Sequence, residues 1–534
     1  MATLLSTDKA LSYARKAEKT GDWAAAYDLY KGVLDRFPSN RRAQAGLKGM
    51  KPKAVQALLQ DAKTAQASQQ WARSADQMAL AFDLAPELSE IGVALAHMQL
   101  QIGNAAGALK TAETILSKAP DHKDAANLKG KALREMGRGG EAQDVHEQAL
   151  QGTNEDAATY TQLASLARAN GDRDKELAYA MQALAIAPLD GSMHWNVSKA
   201  LKYTPETPHL ADMQDLLKAS DPNAPTTAPL RMALFKAYDD IGDRNTAFAH
   251  LQEGNRLIHD SVGYDFKKDA IRYALSRNLF AKPLPKPAPA TGPRPIFVTG
   301  LPRTGTTLTE RIIAMAPEAK ACGELSVVDR LVTPLLQDLA TGRKTTFTAD
   351  DLQTLRENIL SGLAQYGDGS PIIIDKMPLN FRWIGFICAA IPEARIIHMN
   401  RDPMAVAWSH YRHSFSGTGN GFVYSFEGIA QFMVLHRDWM SHWRTICSDA
   451  ILDVDYAELV SEPEAVTRKI AEFTGLDWSS DWTTPERSTS AVLTASAKQV
   501  RKPIYGGSDA GWQAYEQQLA PLRAALVSAG LLTA

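Results

Sequence analysis

Residues 300–307 read GLPRTGTT, with two glycines five apart and two threonines directly after the second. The apolar run 295–299 precedes them and a helical pattern over 308–316 follows. A strand–loop–helix corner of this kind turns backbone N–H groups and the positive end of a helix dipole toward an anion. The spacing nearly meets the phosphate-loop pattern for nucleoside triphosphates. Thr306, however, stands where that pattern has its lysine, and Arg303 lies inside the loop. A cradle without the lysine that reaches the terminal phosphates points away from ATP or GTP and toward another phosphorylated donor. The bland alternative is a glycine-bearing turn that binds nothing.

A second group of residues lies about a hundred positions on. Residues 395–400, RIIHMN, read as a buried strand that ends at Arg401-Asp402-Pro403, with a helical pattern over 404–413. Arg401 therefore sits at the strand exit and Ser409 eight residues later, in the helix. A guanidinium and a hydroxyl from one strand–helix corner can hold a single phosphate through charge-assisted hydrogen bonds. Alone, Arg-Asp-Pro is more often a turn with a local ion pair; behind a phosphate loop it gains weight.

Five segments now stand in order: PIFVTGLPRTGTTL (295–308), CGE (322–324), DKMPLNF (375–381), IIHMNRDPMAVAWS (396–409) and QVRKP (499–503). On them, residues 293–530 resemble a sulfotransferase that uses 3′-phosphoadenosine 5′-phosphosulfate (PAPS). It is particularly similar to bacterial repeat-bearing members and to tyrosylprotein sulfotransferases. The resemblance implies that Arg303, Thr304, Gly305, Thr306 and Thr307 bind the 5′-phosphosulfate and that Arg401 and Ser409 bind the 3′-phosphate. It implies Glu324 as general base, a group of the kind that contributes about 10²–10⁴-fold. Ser488 and Lys502 match family positions near the donor. It also implies adenosine 3′,5′-bisphosphate as product, and no metal.

Lys376 ends the apolar run 372–374 and should point to the mouth of the sheet, where ligands of such folds bind. Arg303 and Lys376 are the cations expected on the bridging oxygen and the transferred sulfonate. His398, His410 and His413 compete with Glu324 for the base role, since many small-molecule sulfotransferases use a histidine. His398 lies inside a strand and reads as packed or paired; the other two could be helix-face residues. Two rival readings remain. One is a P-loop kinase or NTPase, with Asp375 ending a Walker-B-like strand; the other is a repeat scaffold that binds a nucleotide without catalysis.

The elements that must position these residues divide at a break in composition. Residues 281–295, AKPLPKPAPATGPRP, contain six prolines and should form an extended, semi-rigid linker. Beyond it, short apolar runs alternate with helical patterns, which argues for an α/β domain with a mainly parallel sheet. Before it, the chain is self-similar at a period of 34: Gly103, Gly137 and Gly171, with small residues in phase at Ala96, Gly130 and Ala164, and at Ala108 and Ala142. Pro120 and Pro188 close units two periods apart, with Asn154 between them. An earlier unit has Gly21 as its turn, Ala14 and Ala26 as its small positions and Pro38 as its stop; a weaker one turns at Gln69 and stops at Pro86. About 14 extra residues separate these two, and a later unit is suggested by Gly242 and Ala247. Glycine reverses the chain between helices, small side chains let the helices approach, and proline stops them. One such pair cannot bury its apolar face alone, so neighbours must stack. The pattern resembles the tetratricopeptide repeat over about residues 7–260. The expected organisation is a repeat array over 1–280, a linker over 281–295 and a sulfotransferase domain over 296–534.

At 534 residues there is room for two to four domains. A net charge of −2 gives no global basic field, so nucleic acid is not the expected partner. The three cysteines, Cys322, Cys388 and Cys447, have no paired spacing, which fits a reducing compartment. The first residues lack a signal-peptide core, and no apolar stretch is long enough to span a bilayer. These point to a soluble, cytoplasmic protein. The acceptor is left open: protein or peptide tyrosine held with help from the repeats, a saccharide, or a small molecule. The repeats could equally mediate oligomerisation or dock another protein. Phe426, Phe432, Trp439 and Trp443 could line an acceptor pocket, but helix core is the expectation.

Overall fold

A computed structural model describes residues 5–68, 70–150, 156–282, 284–285, 287, 293–415, 418–487, 504 and 508–533. The chain divides into two compact units, 1–133 and 134–534.

The first unit is built of helix pairs. Thr7–Thr20 pairs with Trp23–Arg36, Arg41–Ala67 with Trp71–Leu84, and Ser89–Gln101 with Ala105–Leu116. Gly21 and Gly103 reverse the chain at φ of 75° and 72°, a left-handed conformation that costs other residues roughly 1 kcal/mol. The next residue then caps the following helix: Asp22 and Asn104 each accept an amide hydrogen bond at 3.1 Å. Ala14, Ala26, Ala96 and Ala108, the small positions of the repeat, are all 0% exposed. The extra residues of the second pair lengthen Arg41–Ala67 to 27 residues. Gln69, the expected turn of that pair, lies outside the described residues, as does Asn154.

The second unit continues the pattern through Ala157–Asn170 and Arg173–Ile186, joined at Gly171 and capped by Asp172. Thirty-four residues after Ala142 the small slot is filled by Glu176, which is 1% exposed and paired with Arg168. Helices Gly191–Ala200 and Pro208–Ala219 break the repeat. It resumes in Ala228–Ile241 and Arg244–Val262, joined at Gly242, and Phe266–Leu279 follows.

Among the described residues, five parallel strands then form one sheet: β1 Arg294–Gly300, β2 Ala319–Ala321, β3 Ile372–Asp375, β4 Arg395–Asn400 and β5 Ile451–Asp455, in the order β2-β3-β1-β4-β5. Alternate residues bury opposite faces. Phe297, Ile373 and Ile396 enter one apolar cluster, and Ile296, Val298, Ile374 and Ile397 enter another. From β1 the chain leaves toward β2, whereas from β4 it leaves toward β5, so the connections part between these two neighbours. A crevice opens at such a switch point, beyond the carboxyl ends of the strands. The loop 300–307 and Arg401 both emerge there.

The first cluster does not stop at the sheet. Met232, Phe235, Phe248 and Leu251 of the last repeat helices share it with Trp408 and Tyr411. Asn255 donates to the Tyr411 carbonyl at 2.8 Å. Helix Pro403–Tyr411, which carries Ser409, is therefore buttressed by the repeat helices. Phe432, Trp439 and Trp443 are 0% exposed, and Phe426 is partly buried against the same core. No described helix is long and apolar enough to cross a membrane.

Candidate active site

Three residues bend the loop after β1. Gly300, Arg303 and Gly305 have φ of 148°, 73° and 102°. A Cβ on Gly300 would lie 2.7 Å from the Met399 carbonyl of β4, and one on Gly305 would lie 2.5 Å from the Tyr456 ring. Both glycines are thus required by close approach as well as by conformation. Arg303 tolerates its left-handed backbone at a cost of about 1–3 kcal/mol, strain of the kind that concentrates at functional sites. The Thr304 hydroxyl donates to the Leu301 carbonyl at 2.8 Å and tightens the turn. Helix Thr306–Ile313 starts at Gly305, and no side chain among the described residues caps it. Thr306 and Thr307 form its first turn, both buried.

The two motif regions meet here. Arg303 Nε donates to Ser409 Oγ at 3.0 Å, and Arg401 Nη1 donates to the Arg303 carbonyl at 2.8 Å. Arg401 Nε donates to the Asp509 carboxylate at 2.6 Å, and its guanidinium lies 4.3 Å from the Tyr456 ring centre. His410 Nε2 donates to the Pro302 carbonyl at 2.8 Å. Burial, with a smaller contribution from Arg303, pushes its pKa down to about 4, so it is neutral at physiological pH. His413 bonds the Ser409 carbonyl through Nδ1 at 2.8 Å, and burial holds its pKa well below the ordinary value. His398 is 1% exposed, with Asp453 at 2.6 Å and His436 at 2.9 Å. It is packed and paired, as its place inside a strand suggested.

A second cluster lies at the end of β3. Lys376 is 0% exposed, yet its Nζ reaches Glu324 Oε1 at 2.6 Å, and Glu324 keeps 46% of its side chain exposed. The pair thus runs from the interior to solvent. The Gly323 peptide before Glu324 is held at both ends. Its N–H donates to Glu310 Oε1 at 2.8 Å, and its carbonyl accepts from the Lys376 N–H at 3.0 Å. Asp375, the Walker-B-like acid, turns inward: it is 0% exposed and accepts from the Leu325 amide at 3.3 Å and Asn380 Nδ2 at 2.9 Å. Burial raises its pKa to about 8. A carboxylate so enclosed braces the turn behind the site and does not face the crevice.

Of the expected site residues, Arg303, Ser409 and Arg401 form one connected group, and Glu324 and Lys376 form another. Ser488 and Lys502 lie outside the described residues, as does the segment QVRKP. Three neighbours were not anticipated: Tyr456, Asp509 and Glu310. Tyr456 had a usable signal, because it directly follows β5 as Arg401 follows β4 and Lys376 follows β3. Asp509, more than a hundred residues from Arg401, had none.

Residues 295–480 match the model of the sulfotransferase family, so this part of the chain is a sulfotransferase-family domain. Behind a tetratricopeptide-like repeat array, that is the class of protein which the fold and motifs define. An uncharacterized protein of Aquifex aeolicus (strain VF5) is 27% identical over 522 residues, covering 94% of this chain and 67% of that one. The protein-tyrosine sulfotransferase of Drosophila melanogaster is 26% identical over 199 residues, which is 34% of this chain and 38% of the fly protein. The chain thus matches well under half the length of the fly enzyme. Among solved structures, the sulfotransferase domain of the Synechococcus PCC 7002 olefin synthase aligns with a TM-score of 0.30 at 20% identity, over 43% of this chain and 91% of that domain.

Proposed function

We propose that this protein is a sulfotransferase that moves a sulfuryl group from PAPS to an acceptor hydroxyl. The observation that carries the reading is the meeting of Arg303 with Ser409, and of Arg401 with the Arg303 carbonyl, at the switch point of a parallel sheet. Two guanidinium groups, a hydroxyl and a helix N-terminus suit a donor with phosphate at both ends, and the missing loop lysine does not suit a nucleoside triphosphate.

When bound, PAPS supplies an activated sulfuryl group on a phosphate leaving group. Arg303, Thr304, Gly305, Thr306 and Thr307 hold the 5′ end, and Arg401 and Ser409 the 3′-phosphate; Ser488 and Lys502 join them on the family resemblance. Glu324, exposed enough to meet an acceptor, takes the proton from the acceptor hydroxyl. Lys376 orients that carboxylate and, with Arg303, offers positive charge to the transferring group, each such donor being worth about 10²–10³ in rate. The acceptor is a protein or peptide tyrosine held with the help of the repeats. The likeness to a protein-tyrosine sulfotransferase and the stacked helix pairs support this. The working division is array 1–280, linker 281–295 and transfer domain 296–534, in a cytoplasmic protein.

Radiolabelled PAPS incubated with native cell extract should label a protein in a tyrosine-containing peptide. Label in a saccharide or small metabolite would overturn the tyrosine reading. Adenosine 3′,5′-bisphosphate should raise the melting temperature; no shift would remove the donor assignment. Glu324→Ala should keep that shift and lower transfer by about 10²-fold or more. Transfer should persist in EDTA, where a kinase would stop.

A further inference from the structure

Glu310 lies on helix Thr306–Ile313, one turn beyond the donor loop, and is only 6% exposed. Burying a carboxylate costs several kcal/mol unless it is paired or hydrogen-bonded, and a leucine or methionine would fill the same volume without that cost. The acid is therefore there for its oxygen. Oε1 accepts the Gly323 N–H at 2.8 Å. Gly323 is in the left-handed region, at φ 71°, and its carbonyl accepts the Lys376 amide. The next residue is Glu324, whose carboxylate meets Lys376 Nζ at 2.6 Å. One side chain thus ties the helix of the donor loop to the turn that presents Glu324.

We propose that Glu310 is a positioning residue for sulfuryl transfer: it sets the Gly323 turn, and through it the place of the Glu324 carboxylate relative to the donor loop. The inference rests on the sulfotransferase reading above. Lys376 favours the ionised form of Glu310, as Arg311 does weakly, while Glu324 opposes it and the buried Asp375 is a further acid within its reach. Burial outweighs them and raises its pKa. Either form retains an oxygen able to accept the Gly323 N–H, so the bond survives protonation.

Three full-length variants test this, with labelled PAPS and cell extract for transfer and adenosine 3′,5′-bisphosphate for binding. Glu310→Gln keeps an acceptor oxygen in place and should transfer at close to the wild-type rate. Glu310→Met fills the space without an acceptor. At saturating donor its rate should fall about 30–100-fold, the effect of a misplacement near 1 Å, with bisphosphate affinity within about three-fold of wild type. Glu310→Asp keeps a carboxyl group but falls short of Gly323, and should lose about ten-fold or more on the same ground. The Asp variant decides the matter if the Met variant fails to fold. A wild-type rate in the Asp or Met variant overturns the proposal. So does a Gln variant as slow as the Met variant, or bisphosphate affinity that falls in step with rate, which would place the effect on the donor loop. A wild-type protein without transfer overturns this proposal and the sulfotransferase reading together.

Discussion

Arg401 is a residue whose chemistry a conservative change would lose. Its planar guanidinium donates to the Arg303 carbonyl and to Asp509 while lying over Tyr456. A lysine carries the charge but offers neither the fork nor the flat face. On the proposed reading, Arg401→Lys should weaken adenosine 3′,5′-bisphosphate binding about ten-fold by calorimetry, the loss of one good charge-assisted hydrogen bond. Tyr456→Leu should cost less, about 0.5–1 kcal/mol of binding from the lost cation–π contact. His410 gives a pH dependence with a definite sign. Its folded pKa near 4 lies below the ordinary value of 6.5, so the unfolded chain binds more protons between those values. Stability from this group is intact above pH 6.5 and falls as pH drops toward 4, by up to about 3 kcal/mol. His146, also near 4, adds to the same slope. A melting temperature that is flat from pH 6.5 down to 4.5 would contradict this. The placement of Arg303 within a loop after a strand, of Lys376 and Arg401 directly past strands, and of Ser409 in the following helix was legible in the sequence. Glu310 was not, because an acid on a helix beside an arginine reads as a solvated face until its burial is known.

Among the elements, the bent loop and the strand ends matter most. Gly305→Ala would drive a methyl into the Tyr456 ring and force a left-handed conformation on alanine. The loop must then shift, and bisphosphate affinity should fall about ten-fold or more, in line with roughly 1–3 kcal/mol of strain. Equal affinity in a thermal titration would show that the loop's shape is not what holds the donor. Four of the five strands were visible as apolar runs, those at 295–299, 372–374, 395–400 and 451–454, and each has a polar or charged residue of the site at or just past its carboxyl end. The fifth, β2, was not. Its three residues, Ala-Lys-Ala, have no strand propensity, and they are extended because Ala319 and Ala321 pair with Ile372 and Ile374. The repeat helices were legible for the opposite reason: their signal lies in glycine and alanine spacing, which local sequence preserves.

For the whole molecule, the last helices before the proline-rich segment share a core with the transfer domain. Six prolines read as a spacer, yet Phe280 on their near side packs edge-on against Phe386 and Trp443 at 5.1 and 5.4 Å. Such contacts join residues a hundred or more positions apart, and no periodicity records them. Phe248, 8% exposed and in the shared core, is the simplest probe. Phe248→Ala should cost about 3–5 kcal/mol of stability by denaturant unfolding, although the residue belongs to the repeat pattern. A loss under about 1 kcal/mol would show that the two parts are energetically separate. Removing residues 1–280 would strip this core, so loss of activity in that truncation would not report on acceptor capture.

The Arg401–Asp509 contact has a consequence at this scale. Asp509 lies in the first turn of the short helix Ser508–Tyr515, and Tyr515 at its other end packs at a tilt against Trp408 at 4.7 Å and donates to Asp239 at 2.6 Å. On the proposed reading, a donor phosphate and the Asp509 carboxylate are rivals for one guanidinium. The bond from Tyr515 to Asp239 joins that short helix to Ala228–Ile241, so a displaced Asp509 would have a continuous path to the repeat helix. Linkage is reciprocal. On the proposed reading, a partner whose grip on this repeat helix moved Asp509 would change donor affinity by the same factor by which the donor changed the partner's grip.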